Sequence, residues 1–179
     1  MTIDVMIPVF RPDEKLEKCI IGLLKQTTPI REIHLVVSFE KEEDKLFAQK
    51  CSRFEKIVLR YIEQKDFDYA AVKDDWMKRT DAEFVLFMVQ DAIPAHTDML
   101  ENMLNYFENP KTAIVYGRHI TDSGCNEIER FTRYFNYPPE SIVKSKEDKE
   151  KLGIKLYFNS NVCALYRRSN YMRTTGFSR

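Results

Sequence analysis

Residues 83–89, with the sequence Glu-Phe-Val-Leu-Phe-Met-Val, form the most hydrophobic run in the chain. An apolar run of this length predicts a central strand that is buried on both faces. Strands of this kind are typical of parallel sheets that carry helices on either side. The run ends at Gln90 and Asp91, shortly before Pro94.

Strand and helix patterns alternate on both sides of this run. Further strands are predicted at residues 5–10, 32–37, 57–62, 112–116 and 161–166. Between the first strands, apolar residues recur at helical spacing, for example at Leu16, Cys19, Ile20 and Leu23. The β-α alternation up to Gly117 predicts an α/β fold, with a mostly parallel central sheet and helices on both faces.

The helices are predicted with less detail than the strands. Residues 40–54 and 70–79 are predicted as helices, and Thr97 is predicted to cap a third helix that ends near Phe107. Residues 118–140 are polar and aromatic and are assigned no element. The charged run at residues 144–151 is predicted to be an exposed loop or helix.

Composition narrows the class of protein. The 179 residues suit one domain, and we assign residues 1–179 to a single unit. The 28 basic and 28 acidic residues balance, which argues against a nucleic-acid partner. The four cysteines show no zinc-binding spacing, and no signal peptide or membrane span is seen. We therefore expect a cytoplasmic protein, with peripheral membrane contact left open.

The predicted architecture also predicts where a ligand binds. In open parallel sheets, ligands bind beyond the carboxyl ends of the strands, near the point where the strand order reverses. The glycine-rich loops that usually bind phosphates are absent, and a divalent cation held by a carboxylate is the other common solution. Asp91 is placed for that role. From the residue alone, a turn cap before Pro94 is an equally good interpretation.

Several short motifs follow one another along the chain. They are MIPVF at 6–10, LLKQT at 23–27, FMVQDA at 87–92, VYGRH at 115–119, RYFNYP at 133–138, FNSN at 158–161, ALYRR at 164–168 and GF at 176–177. In this order and spacing they resemble the family 2 glycosyltransferases of the GT-A fold, and most closely the bacterial rhamnosyltransferases that make cell-surface polysaccharides. Each motif is weak alone, but together they span residues 3–177.

The resemblance implies a Rossmann-like GT-A domain with a nucleotide-sugar site. The residues implied to bind the donor are Pro8, Val9, Phe10, Ser38, Lys73, Gln90 and Arg118. Ser38 stands where many relatives carry an aspartate that contacts the base. Asp91 is implied to bind Mg²⁺ or Mn²⁺, which would bridge the two donor phosphates and act as a Lewis acid for the leaving diphosphate.

The resemblance also implies a reaction. A sugar, most simply rhamnose, would pass from a dTDP-sugar to a saccharide or lipid-linked acceptor, with inversion at the anomeric carbon. The family continues beyond its GGF motif into an acidic segment that often supplies the catalytic base. We therefore expect the base to lie beyond Arg179 and the chain to lack that segment. His119, which follows a predicted strand near the cleft, is a weak candidate for the base.

Two other functions stay open at this point. The chain could be a non-catalytic module that binds a nucleotide, or a partner, in a polysaccharide-assembly system. It could also be a nucleotidyltransferase on a similar fold, although the lack of a glycine-rich phosphate loop near the N-terminus argues against this.

Overall fold

The computed structural model describes residues 1–121 and 124–177. Within these residues the sheet strands are β1 (Ile3–Phe10), β2 (Glu32–Phe39), β3 (Ile57–Glu63), β4 (Phe84–Met88), β5 (Ile114–Tyr116) and β6 (Cys163–Arg167). The helices are α1 (Glu14–Leu24), α2 (Glu42–Cys51), α3 (Tyr69–Arg79), α4 (Met99–Asn105), α5 (Glu127–Asn136), α6 (Lys149–Leu152) and α7 (Arg168–Tyr171). None of these helices is long and apolar enough to cross a membrane.

The strands form one sheet in the order β3-β2-β1-β4-β6-β5. The pairs β1–β2, β2–β3 and β1–β4 are parallel, while β6 runs antiparallel to both β4 and β5. The prediction of a mostly parallel sheet is therefore confirmed. The chain leaves β1 towards β2 and β3, then returns to the other side of β1 as β4. The order thus reverses between β1 and β4, which is where a ligand is expected.

Both faces of the sheet are covered, as predicted. Strand β4 is buried along its whole length, because its side chains alternate between two core clusters. Phe84, Leu86 and Met88 pack into the cluster that also contains the buried residues of α1, α2 and α4. Val85 and Phe87 pack into the other cluster, with residues of α3 and α7.

The predicted cap of α4 is wrong. The helix begins at Met99 after Asp98, and neither Asp98 nor Thr97 caps it with a side chain. The Leu100 amide instead donates to Gln26 Oε1 at 3.0 Å, and Gln26 Nε2 donates to the carbonyl oxygens of Gly22 and His96. A buried amide just beyond α1 therefore satisfies the start of α4, which local sequence signals do not reveal.

Helix α5 was not predicted. Its cap is ordinary, since the Asn126 side chain accepts a hydrogen bond from the Glu129 amide at 2.8 Å. None of its residues is buried. The aromatic residues that obscured the helical pattern therefore lie on its surface rather than in the core.

Candidate nucleotide-sugar site

A pocket of about 260 Å³ opens at the carboxyl ends of β1, β2 and β4. It is lined by Pro8, Val9, Phe10, Ser38, Gln64, Phe67, Tyr69, Val89 and Gln90. Five of the residues predicted to bind the donor are thus brought together from three strands. The strand order does this, because it places β4 directly beside β1 although many residues separate them in sequence.

Gln90 joins the end of β4 to the end of β1 by hydrogen bonds, at the point where the strand order reverses. Its Oε1 accepts a hydrogen bond from the Phe10 amide at 2.9 Å, and its Nε2 donates to the Phe10 carbonyl oxygen, also at 2.9 Å. The side-chain amide therefore pairs with the Phe10 backbone as the main chain of a neighbouring strand would. Gln90 holds the Phe10 backbone in the pocket wall.

Ser38 lies at the neighbouring strand end and is 1% exposed. Its hydroxyl donates to the Val9 carbonyl oxygen at 3.2 Å. The hydroxyl hydrogen is used in joining β2 to β1, so towards a ligand the oxygen can act only as an acceptor. The base contact predicted for this position is therefore limited to that role.

Three pocket residues were missed by sequence reasoning. Gln64, Phe67 and Tyr69 all follow β3, and the two rings lie 6.4 Å apart. The rule that ligands bind at carboxyl ends of strands applies to β3 as well, and it could have pointed to them. Gln64 Oε1 is buried and has no hydrogen-bond donor among the described residues.

Lys73, on α3, is 1% exposed and lies outside the pocket lining. Its Nζ is 3.7 Å from the centroid of the Tyr69 ring and 5.4 Å from those of Phe87 and Phe177. Within the described residues this ammonium has no hydrogen-bond or ion-pair partner, and burial lowers its pKa to about 8. The cation is sheltered by aromatic faces, one of which belongs to the pocket wall.

Asp74, the next residue, anchors the end of the described chain. It accepts hydrogen bonds from the Tyr171 hydroxyl and, at 3.0 Å, from the Phe177 amide. Gly176 has a φ of +88°, and a Cβ there would lie 2.8 Å from the Asp74 carboxylate. Only glycine fits so close a backbone approach, and it brings Phe177 onto Lys73.

Asp91 is exposed in the turn that follows β4. Within residues 1–121 and 124–177 its carboxylate makes no hydrogen bond or ion pair, so it does not cap the turn before Pro94. Both carboxylate oxygens are available to a ligand, and oxygen is the donor that Mg²⁺ and Mn²⁺ prefer. Asp91 is therefore free to bind a cation, and its role as a metal ligand stays a prediction.

A second acidic group, formed by Asp4, Glu32 and His34, lies at the opposite, amino-terminal edge of the sheet. Its ligand atoms are close together, but Asp4 accepts from Arg31 through both oxygens at 2.8 and 2.7 Å and from the Thr80 hydroxyl at 2.6 Å. The Asp4 carboxylate therefore already accepts three hydrogen bonds within the protein. This arrangement is a partly exposed ion-pair network around the buried Asp4, at the opposite end of the strands from where a donor would bind.

Arg118 is not brought to the pocket. Strand β6 is inserted between β4 and β5, so residues after β5 lie beyond it along the sheet edge. Arg118 instead lines a larger cavity of about 760 Å³ between α4, β5 and residues 136–159. The other polar and aromatic residues of this cavity include Asn102, Tyr106, Asn109, Lys111, Tyr116, Tyr137, Lys144, Tyr157, Phe158 and Asn159.

His119 is clamped and not free to act as a base. Its Nδ1 lies 2.7 Å from Arg133 Nη1, and because arginine can only donate, the ring hydrogen sits on Nε2 and points to Ser160 Oγ at 3.0 Å. Its ring stacks on Tyr137 at 4.0 Å. Burial, and then the charge of Arg133, lower its pKa to about 4, so the ring stays neutral.

Backbone hydrogen bonds beyond the strand ends join β4, β5 and β6. Beyond β4, the Val89 amide donates to the Val162 carbonyl oxygen at 3.1 Å, and the Gly117 amide donates to the Cys163 carbonyl oxygen at 2.8 Å. These bonds align the ends of β4 and β5 with the start of β6.

Comparison with known proteins agrees with this geometry. The model of glycosyl transferase family 2 matches residues 4–174. The chain is 35% identical over 178 residues to the O-antigen chain rhamnosyltransferase RfbN of Salmonella typhimurium, covering 99% of this chain and 56% of the relative. It is also 35% identical over 117 residues to the O-antigen chain rhamnosyltransferase WbaN of Salmonella anatum, covering 65% of this chain and 37% of that protein. The chain thus spans about half, or less, of the length of these relatives.

Solved structures confirm the fold class. The mannosyltransferase PcManGT from Pyrobaculum calidifontis, in complex with GDP-Man and Mn²⁺, superposes with a TM-score of 0.64 at 16% identity, over 98% of this chain and 47% of that one. TarS 1-349 of S. aureus, in complex with UDP-GlcNAc, gives 0.63 at 14% identity, over 94% of this chain and 46% of that one. At such identities the likeness establishes the GT-A fold and no more.

Proposed function

Because this chain belongs to glycosyl transferase family 2, we propose that it binds the nucleotide-sugar donor of an inverting rhamnosyltransferase. The donor is a dTDP-sugar, and the acceptor is a saccharide or lipid-linked saccharide of a cell-surface polysaccharide. The rhamnosyl assignment is supported by the two O-antigen relatives.

The observation that carries this proposal is the apolar pocket beside a free carboxylate. Pro8, Val9, Phe67 and Tyr69 offer flat, apolar walls to a nucleoside. Asp91 follows the last strand that lines the pocket and is free to hold a cation for the diphosphate. A divalent cation is a common way to neutralise a diphosphate where no glycine-rich loop is present, and the carboxylate is where one would be held.

Mg²⁺ or Mn²⁺ at Asp91 would supply charge neutralisation for the departing diphosphate. Two side chains of this chain would act beside the cation. Gln90 holds Phe10 in place, while Lys73 contributes a buried positive charge behind Tyr69. In the reaction, an acceptor hydroxyl oxygen bonds to the anomeric carbon as the bond to the diphosphate oxygen breaks, and the hydroxyl proton passes to a base other than the clamped His119.

We propose that Gln64 recognises the base of the donor nucleotide through hydrogen bonds. A thymine or uracil ring presents one imide N–H between two carbonyl oxygens, and a glutamine amide can both accept from the N–H and donate to an oxygen. Gln64 lines the pocket, and its Oε1 has no hydrogen-bond partner among the described residues, so it is available for this role. Ser38 cannot donate without losing its bond to Val9.

The larger cavity is proposed to receive the acceptor. Its aromatic and amide side chains suit the apolar faces and hydroxyls of a saccharide. A cytoplasmic location is supported by the cysteines, all four of which are free.

Thermal unfolding with dTDP, UDP and GDP, each with and without Mn²⁺, tests the donor site. A ligand at 100 times its Kd stabilises the fold by about 2.7 kcal/mol, which corresponds to roughly 5–10 °C for a domain of this size. We expect dTDP with Mn²⁺ to give this shift, Asp91→Ala to remove it, and Asp98→Ala to retain it. Asp98 is a matched control because it is also exposed and makes no side-chain cap.

The same measurement separates the alternatives. Stabilisation by GDP rather than dTDP would contradict the choice of donor and retain the site. The absence of any shift, with or without metal, would contradict the enzyme proposal for this chain and favour an interaction module.

A further inference from the structure

Arg11 follows β1 in a backbone conformation that is strained for this residue. Its φ is +44°, in the left-handed region, where a residue with a Cβ is strained and glycine is not. The preceding residue, Phe10, is fixed at both its amide and its carbonyl by Gln90. Strained residues of this kind are concentrated at functional sites, so the conformation points to a role for the Arg11 side chain.

The Arg11 side chain lies at the rim of the nucleoside pocket. Its guanidinium carbon is 4.8 Å from the centroid of the Phe10 ring, and Phe10 lines the pocket. Arg11 Nη2 donates to Glu40 Oε2 at 2.7 Å. Glu40 follows β2, and its amide donates to Asp44 Oδ2 at 2.9 Å, which holds the Glu40 backbone in place. The guanidinium thus bridges the ends of β1 and β2 beside the pocket.

The ion pair between Arg11 and Glu40 is exposed and can be exchanged for another. The two side chains are 64% and 45% exposed, and within residues 1–121 and 124–177 the guanidinium has no other ion pair. An ion pair between exposed side chains contributes little to stability, because water screens it. A diphosphate carries more charge than a carboxylate and offers several oxygens to the planar guanidinium, so it can replace Glu40 as the partner of Arg11.

The residues that line the nucleoside pocket include no basic side chain that could meet a diphosphate. Lys73 is buried behind the aromatic wall of the pocket. Lys65 follows β3, which is the edge strand and is separated from β1 by β2. Arg11 follows β1, which pairs directly with β4, the strand that leads to Asp91. Arg11 is therefore placed at the side of the pocket where the diphosphate is expected.

We propose that Arg11 binds the diphosphate of the nucleotide-sugar donor, and that Glu40 holds the guanidinium when no donor is bound. This inference rests on the proposed function, since it requires a donor in the pocket. When the donor binds, the guanidinium exchanges the Glu40 carboxylate for phosphate oxygens, while its apolar stem stays beside the Phe10 ring. Because a guanidinium makes parallel hydrogen bonds to two oxygens, Arg11 orients the diphosphate as well as neutralising part of its charge.

Titration calorimetry of the 179-residue chain with dTDP and Mn²⁺ tests this proposal. Arg11→Gln removes the charge and keeps the Cβ, and we expect it to weaken dTDP binding by about tenfold. Glu40→Gln frees the guanidinium, so dTDP should bind as tightly as it does to the wild type, or up to about fivefold more tightly. The matched control is Lys65→Gln, because Lys65 is also exposed and pairs with an acidic side chain, Glu63, at 2.6 Å. This variant should bind dTDP as the wild type does.

A second ligand separates recognition of the phosphates from an effect on the pocket itself. Thymidine has the nucleoside but no phosphate, so a titration followed by NMR should give the same affinity for the wild type and for Arg11→Gln. Thermal unfolding of both proteins shows whether the fold is intact, since loss of an exposed ion pair should leave the unfolding temperature almost unchanged.

The outcomes distinguish this proposal from the donor site on which it rests. If dTDP binds Arg11→Gln as tightly as the wild type, or if Glu40→Gln weakens binding as much as Arg11→Gln does, the role of Arg11 is overturned and the donor site stands. Equal losses of thymidine and dTDP affinity in Arg11→Gln also overturn it, because Arg11 would then act through Phe10. If no nucleotide binds the wild type, the donor site is refuted and the role of Arg11 with it.

Discussion

Two glutamines in one pocket allow the hydrogen-bond reasoning to be tested directly. Gln90 makes two hydrogen bonds to the Phe10 backbone, whereas Gln64 Oε1 has no partner in the described structure. Replacing Gln90 with leucine removes both bonds and leaves the Phe10 amide and carbonyl without their partner. At about 0.5–1.5 kcal/mol for each bond, and with water able to replace part of the loss at this half-exposed position, we expect a destabilisation of about 1–2 kcal/mol.

Replacing Gln64 with leucine should have the opposite outcome. This change removes an acceptor that is already unpaired, so stability should stay within about 0.5 kcal/mol of the wild type or rise. Affinity for dTDP should fall if Gln64 reads the base.

Equilibrium unfolding in urea measures both variants, and an unchanged m-value would show that only native-state stability differs. Equal losses for Gln64→Leu and Gln90→Leu would refute the reasoning, because the two side chains would then share one role. A Gln90→Leu variant as stable as the wild type would refute it as well.

The remaining predictions concern buried charges and backbone geometry. Lys73 has a folded-state pKa of about 8, below its ordinary value of 10.5. Between these two pH values the unfolded chain binds more protons than the folded one, so the free energy of unfolding should rise with pH. In pH-dependent unfolding, Lys73→Met should abolish this rise. Asp4→Asn should destabilise the fold by about 2–3 kcal/mol. This is less than the loss expected for breaking a fully buried ion pair, because the Arg31 side chain is 35% exposed and keeps its ion pair with Asp81. Calorimetry should show this loss, while Mn²⁺-dependent binding of dTDP is retained. Gly176→Ala should destabilise the fold by about 1–3 kcal/mol, because residue 176 has a positive φ and an added Cβ would approach the Asp74 carboxylate. Limited proteolysis should then cleave the C-terminal segment of this variant faster than that of the wild type.

Much of the fold could be predicted from the chain because the signals are local. The run at residues 83–89 is apolar at every position, since its side chains enter both core clusters. The helical spacing of α1 reports a face that packs on one side of the sheet. Each of these patterns depends only on the burial of neighbouring residues, and each was found at nearly the observed bounds.

The candidate site was predicted in part. Pro8, Val9, Phe10, Ser38 and Gln90 meet in the pocket, as the rule on strand ends and the family resemblance together indicated. The contribution of the β3–α3 connection was not foreseen, because no residue of this connection before Lys73 was assigned to the donor site. The separation of Arg118 from the pocket depends on β6, which follows late in the chain and yet inserts before β5.

The sequence by itself therefore determined the alternation of strands and helices, the buried central strand and the family. The tertiary structure alone decided which distant groups meet: Gln26 at the start of α4, Gln90 at Phe10, and Lys73 under the Phe177 ring. It also decided the direction in which α5 faces. The periodicity of a helix shows that one face is apolar, but whether that face is buried depends on contacts on its other side, here between Arg133 and His119. Such contacts join residues of different elements, and no pattern within one element records them.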